Sequence, residues 1–107
     1  MSLSVLILTK NEEKNIARAI ESVKPIADEI IVLDSGSTDN TVEIAKSLGA
    51  KVFFREFDNY PSQIEYGKSL CSKDWIFVLD ADEEVCQELR ENIVKAINED
   101  SYTCYKV

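Results

Sequence analysis

"DWIFVLDADEEV", residues 74–85, sets an unbroken apolar run against four carboxylates packed into the five positions from Asp80 to Glu84. The run from Trp75 to Leu79 does not alternate with polar residues, so it reads as a strand covered on both faces, as in a parallel sheet. Three similar bursts precede it: Leu3 to Leu8, Ile30 to Leu33 and Val52 to Phe54. Between the bursts lie segments of helical period. Ile16, Ile20 and Val23 recur at i, i+4, i+7; Val42, Ala45 and Leu48 follow at threefold spacing, with Gly49 placed to end their helix. Ile64, Gly67 and Cys71 mark a third segment, with Pro61 suited to its first turn, and Leu89, Ile93, Ala96 and Ile97 mark a fourth.

This pattern predicts strands over residues 3–9, 28–34, 51–55, 75–80 and 102–107, and helices over 12–24, 40–48, 61–72 and 86–99. Strand and helix alternating with short links predict right-handed βαβ units. The expected fold class is therefore α/β: a mostly parallel, doubly wound, Rossmann-like sheet with helices on both faces. At 107 residues the chain is one domain or a piece of one.

Composition narrows the function. A net charge of −8 opposes a surface built for phosphate backbones or anionic lipid, so nucleic acid is not an expected partner. No stretch approaches the roughly 20 apolar residues of a membrane span, and the first residues lack a signal-peptide pattern, which predicts a cytoplasmic protein. The chain contains no histidine, which removes His-based triads and His-ligated metals. Cys71, Cys86 and Cys104 are odd in number and far apart, and they read as reduced structural thiols.

Ligands of open α/β sheets bind beyond the carboxyl ends of the strands, so the four turns there belong together. After the first predicted strand comes Thr9-Lys10-Asn11-Glu12, after the second Asp34-Ser35-Gly36-Ser37-Thr38-Asp39, after the third Arg55-Glu56-Phe57-Asp58, and after the fourth Asp80-Ala81-Asp82-Glu83-Glu84. On an extended backbone, residues two apart face one way, so Asp80 and Asp82 can share a hard cation. Two like charges about 4 Å apart cost on the order of 4 kcal/mol at an effective dielectric near 20, and Mg²⁺ or Mn²⁺ converts that repulsion into ligation. The same ion lets an acidic site hold a diphosphate. Glu83 and Glu84 also read as acids favouring the positive end of the following helix. "DSGSTDNT" reads first as a turn and helix cap, with Gly36 for backbone freedom and Ser37, Thr38 or Asp39 accepting helical N–H groups. Asp34 ends its apolar run where an acceptor suits a ribose hydroxyl or a base N–H, beside the reading of a purely structural residue. Lys10 reads either as a phosphate contact or as a solvated lysine.

"SVLILTKNEEKNIARAIESV", "DEIIVLDSGSTDNTVEIAKSLGAKVF" and "DWIFVLDADEEV" together resemble the nucleotide-binding half of family 2 glycosyltransferases of GT-A fold, over about Leu3 to Val85. The wording of TKNEE and DSGSTDNT is most similar to the branch that includes bacterial lipopolysaccharide core β-glucosyltransferases. The resemblance implies that Asp80 and Asp82 are the DxD motif, with Asp82 on the metal and Asp80 nearer the ribose or the metal shell. It implies Thr9, Asp34 and Ser35 at the nucleoside with Glu12 close by. Ser35 stands where many members carry a second aspartate, and Glu65 where the related branch commonly has Asn, beside a Gln63 of unassigned role.

The activity implied is inverting, metal-dependent transfer from a nucleotide-diphosphate sugar, UDP-sugar favoured, to a cell-envelope glycan or glycolipid. Family domains run past residue 107 into an acceptor half that supplies the general base. The resemblance thus implies a chain cut within the donor half, prone to self-association, from a protein at the inner face of the membrane or peripherally bound to it. Three rival readings remain. A haloacid-dehalogenase-type phosphatase carries its Asp pair on the first strand, with Thr or Val two residues on where Glu84 stands here. A sugar nucleotidyltransferase opens with a Gly-rich loop, and Thr9 to Lys14 contain no Gly. A binding domain that kept the fold without the chemistry has no excluding signature.

Overall fold

The computed structural model describes residues 2–98 and 104–106, the last three and Asn98 by their backbone. The elements run β1 (Leu3–Thr9), α1 (Ile16–Val23), β2 (Glu29–Asp34), α2 (Thr41–Ser47), β3 (Lys51–Phe54), α3 (Tyr60–Leu70), β4 (Trp75–Asp80), α4 (Gln87–Asn98) and β5 (Cys104–Lys106). The predicted alternation holds throughout. Residues 99, 102, 103 and 107, parts of the last predicted helix and strand, lie outside the described residues.

The strands form one sheet in the order β3-β2-β1-β4-β5, and every pair is parallel. The chain leaves β1 in one direction through β2 and β3, then returns past β1 to β4. The point where the order reverses lies between β1 and β4, where open α/β sheets leave a crevice. Leu8 stands opposite Asp80 across that pair, and Thr9 opposite Asp34 on the other side. The acidic turn and two other predicted loops therefore meet at one edge.

Two apolar layers sandwich the sheet. Leu3, Val5 and Ile7 point with Val32, Phe77 and Leu79 into a core closed by Ile16, Ile20 and Val23 of α1, Ala45 of α2 and Ile93 and Ile97 of α4. Leu6, Ile31, Leu33 and Val78 face the other way, packed by Leu70 and Cys71 at the end of α3. Both faces are covered, though by three helices and one. Gly67 explains how α3 lies so close to β1, since a Cβ there would fall 2.5 Å from a Leu6 methyl. Among the described residues no helix is long and apolar enough to cross a membrane.

Three expectations need correction. β3 was read as covered on both faces, yet it is the edge strand, with Phe53 and Phe54 at 37% and 65% exposure. The first helix begins at Ile16, not residue 12, because Asn11 takes a left-handed φ of 53° and the N–H groups of Asn11, Glu12 and Glu13 bond to a neighbouring loop. The uniform hand of the βαβ units fails at the last one. Stepping from β4 to β5 continues the direction of β3 to β4, but α4 packs on the face opposite α3. Bonds from the Arg90 guanidinium to the carbonyls of Ser22 and Val85, and from the Val85 N–H to the Ser22 hydroxyl, hold it against α1. As expected, Glu83 and Glu84 lie ahead of α4, which starts at Gln87 and carries Glu88 in its first turn.

Candidate nucleotide and metal site

Two loops zip together at the carboxyl edge of β1 and β2. Asn11 donates its N–H to the Ser37 hydroxyl at 2.8 Å and accepts the Thr38 N–H at 2.8 Å on its side-chain oxygen. The Glu12 N–H reaches the Thr41 hydroxyl at 2.9 Å, while the Asn40 N–H reaches the Glu13 carboxylate at 3.1 Å. The Ser35 N–H and hydroxyl both donate to the Thr9 carbonyl, at 3.1 and 3.4 Å. Asp39 accepts the Thr41 N–H at 3.0 Å and also its hydroxyl, capping α2 as the sequence allowed. That hydroxyl bond, helped by backbone N–H groups including those of Thr41 and Glu13 and opposed by desolvation, holds the Asp39 carboxyl below its usual range. Gly36, at φ +117°, supplies the turn that brings the second loop round.

Asp34 is 4% exposed, and its carboxylate accepts the N–H groups of Gly36 and Ser37 at 3.0 and 2.8 Å and the Ser37 hydroxyl at 2.5 Å. It shapes its own turn. The neighbouring Ser35, not Asp34, lines the cleft.

That cleft, about 370 Å³, gathers Thr9, Lys10, Glu12, Ser35, Asp80 and Asp82. Five of the six residues that the sequence assigned to nucleotide or metal thus share one cavity, joined by the exposed Lys10. Thr9, one of the lining residues, carries a singular side chain. The residue is 6% exposed, and its hydroxyl is buried with no hydrogen-bond partner. An unsatisfied buried hydroxyl costs about 1–3 kcal/mol.

At the β4 end, Asp80, Asp82 and Glu83 each present a carboxylate oxygen, all within 4.8 Å of one another. Glu83 was read as a helix-end acid or a cluster member, and its geometry makes it the latter: its carboxylate accepts the Asp80 N–H at 2.9 Å, while its own N–H donates to the Asp80 carbonyl at 2.9 Å. Glu84 turns outward, 4.0 Å from Arg18, with both side chains exposed. Three hard oxygen donors converging at one point fit Mg²⁺ or Mn²⁺.

Sequence reasoning missed Tyr60 as a residue of the cleft; it placed Phe57 in a turn at the ligand edge and gave it no role of its own. The Tyr60 hydroxyl donates to Asp80 at 3.1 Å and fixes that carboxylate. Gln63, to which the sequence gave no role, is 2% exposed; its amide donates to the Arg55 carbonyl at 3.2 Å and accepts the Arg55 guanidinium at 2.8 Å. It locks the loop ahead of α3. Glu65 faces solvent and pairs with Lys68 at 3.5 Å.

The profile described as Glycosyl transferase family 2 matches residues 4–107. The chain is 50% identical over 108 residues to an uncharacterized glycosyltransferase of Rickettsia typhi, covering 98% of this chain and 37% of that protein. To the lipopolysaccharide core biosynthesis glycosyltransferase LpsC of Rhizobium meliloti it is 34% identical over 96 residues, 85% of this chain and 35% of that one. Among solved structures it is similar to glucosyl-3-phosphoglycerate synthase from Mycobacterium tuberculosis in complex with Mn²⁺, UDP and glucosyl-3-phosphoglycerate. The TM-score is 0.68 at 31% identity, over 78% of this chain and 35% of the other. The chain spans little more than a third of the length of these relatives.

Proposed function

Since this chain belongs to glycosyl transferase family 2, we propose that it is the donor-binding part of an enzyme that moves a sugar from a nucleotide diphosphate, UDP favoured, to a cell-envelope glycan or glycolipid. The observation that carries this is the Asp80–Asp82–Glu83 cluster standing at a cleft that Thr9, Lys10, Glu12 and Ser35 also line, at the reversal point of the sheet. Three converging carboxylates at the end of such a cleft call for a ligand that is anionic and metal-borne.

Asp82, Asp80 and Glu83 would hold a divalent ion, which when bound neutralises the charge that builds on a departing diphosphate. Tyr60 keeps the Asp80 carboxylate turned into the cleft, and Lys10 at the rim offers a further positive charge to a phosphate. Thr9 and Ser35 face the nucleoside, Glu12 stands beside them, and Asp34 serves by holding the Ser35–Ser37 turn. In an inverting transfer, an acceptor hydroxyl attacks the anomeric carbon from the side opposite the diphosphate. We place the acceptor pocket and the general base in the part of the relatives' length that this chain does not span, and the enzyme on the cytoplasmic side of the envelope. The lipopolysaccharide relative supports an envelope acceptor.

Isothermal titration of UDP into this chain tests the reading. Heat of binding is expected with Mn²⁺ and is expected to vanish with chelator; curves unchanged by the metal would rule the reading out. Thr9→Val separates binding from folding. Removing a buried, unsatisfied hydroxyl is expected to stabilise the free protein by about 1 kcal/mol while weakening UDP binding about fivefold. Thermal unfolding without ligand and titration with it give the two signs, and a loss in both would mean that Thr9 is structural only.

A further inference from the structure

Phe57 is explained neither by the core nor by the acidic end of the cleft. The residue is 52% exposed and yet lines the cleft. A single exposed Phe is ordinary on a mobile loop, but this loop is tied down on both sides of it. The Arg55 N–H donates to the Asp34 carbonyl at 2.9 Å, and the Arg55 guanidinium reaches both carboxylate oxygens of Asp58, at 3.0 and 3.3 Å. Gln63 clamps Arg55 at its guanidinium and its carbonyl. Asn59 donates to Asp58 at 2.7 Å and caps α3 by accepting the Ser62 N–H at 2.8 Å. An apolar side chain is thus carried on a fixed loop at the wall of the cleft.

The place follows from the sheet. With strands about 4.8 Å apart, the order β3-β2-β1-β4 sets the end of β3 about 14 Å from the end of β4. The metal-capable carboxylates stand at the β4 end, Thr9 and Ser35 follow β1 and β2, and Phe57 follows β3. A nucleoside diphosphate laid along that edge from its metal-bound phosphates brings its base over Leu33, towards Phe57. A charged phosphate gains nothing from an apolar ring, whereas a flat base gains on its π-face.

We propose that Phe57 is the platform on which the base of the nucleotide donor stacks, an inference that rests on the nucleotide-sugar reading above. Stacking accepts any base, so Phe57 supplies affinity, and selection among bases falls to the hydroxyls of Thr9 and Ser35.

The test measures UDP and inorganic pyrophosphate, each with Mn²⁺, against the unaltered chain and against Phe57→Ala, Phe57→Leu and Phe57→Trp. Phe57→Leu keeps apolar bulk and folding while removing the ring. Expected is a loss of about tenfold in UDP affinity for Ala and Leu and near-native affinity for Trp, with pyrophosphate unchanged in all three. Phe57→Leu binding UDP like the unaltered chain overturns the inference, as does an equal loss for pyrophosphate, which would report a collapsed cleft. A loss seen with UDP-glucose but not with UDP also overturns it, by placing the sugar on the ring. An unaltered chain that binds pyrophosphate with Mn²⁺ but not UDP sinks the nucleotide-sugar reading itself, a result none of the variants can imitate.

Discussion

Asp82→Ala is expected to leave the protein folded and to abolish its metal-dependent affinity for UDP, a loss on the order of a hundredfold or more. Asp82 is exposed in the turn after β4, outside both apolar layers, so its removal should change stability by no more than about 0.5 kcal/mol. Its carboxylate nevertheless belongs to a set of three within 4.8 Å. Unit charges about 4 Å apart interact by about 4 kcal/mol at an effective dielectric near 20, and a dication doubles the attraction per carboxylate. The same number read the other way says that the ion-free cluster is strained, so the variant should unfold slightly later than the parent when no metal is present. Calorimetric titration of UDP with Mn²⁺ checks the loss. A variant that keeps the parent's metal-dependent gain would show that Asp80 and Glu83 suffice, and would remove Asp82 from the site.

The fold was readable because its strands are buried on both faces and say so: Leu3–Leu8 and Trp75–Leu79 carry no polar alternation, and α1 has a clean stripe at Ile16, Ile20 and Val23. The same signal misled at β3, where Val52-Phe53-Phe54 looks equally apolar but lies at the sheet edge; a run of hydrophobic residues does not reveal which strand has a neighbour on each side. The start of α1 was lost to tertiary bonds from residues 11–13 into the 37–41 loop, which no local propensity encodes. In the site, Asp80 and Asp82 were legible because paired carboxylates after an apolar run are costly without a reason. Tyr60 was not. Twenty residues separate Tyr60 from the Asp80 it bonds, and only the reversal of strand order brings the start of α3 over the end of β4. Asp34 marks the limit of reasoning by position: the sequence puts it at the crevice, and the backbone then spends its carboxylate on Gly36 and Ser37.

At the far end of the sheet from the cleft, Glu29 should govern stability as Asp82 governs binding. It opens β2, is 8% exposed, and its carboxylate accepts the Ser4 hydroxyl at 2.8 Å, the Ser72 N–H and hydroxyl at 2.9 Å each, and the Lys51 ammonium at 3.0 Å. One side chain thus ties β1, β2, β3 and the segment leading into β4. Burial alone would raise its pKa; the bonds from Ser72, Ser4 and Lys51 outweigh it and hold the group at about 2, against an ordinary 4.5. A lowered folded pKa contributes stability that is present above pH 4.5 and is lost as the pH falls from there to about 2. A shift of that size corresponds to on the order of 3 kcal/mol, most of it from the buried donors, because the Lys51 side chain is 64% exposed and its attraction is screened. Glu29→Ala, which strands three of those donors, should therefore lower the unfolding midpoint at neutral pH by on the order of 10–20 °C, given about 4–8 °C per kcal/mol in a domain of this size. Glu29→Gln keeps the shape but not the charge, so its midpoint should fall less than the parent's between pH 7 and pH 3. Thermal unfolding at the two values decides it: parallel slopes for parent and Gln variant would mean that other carboxylates carry the acid lability. Since the cleft lies at the opposite strand ends, either variant should bind UDP with Mn²⁺ as the parent does at temperatures where it stays folded, which separates a weakened scaffold from a damaged site.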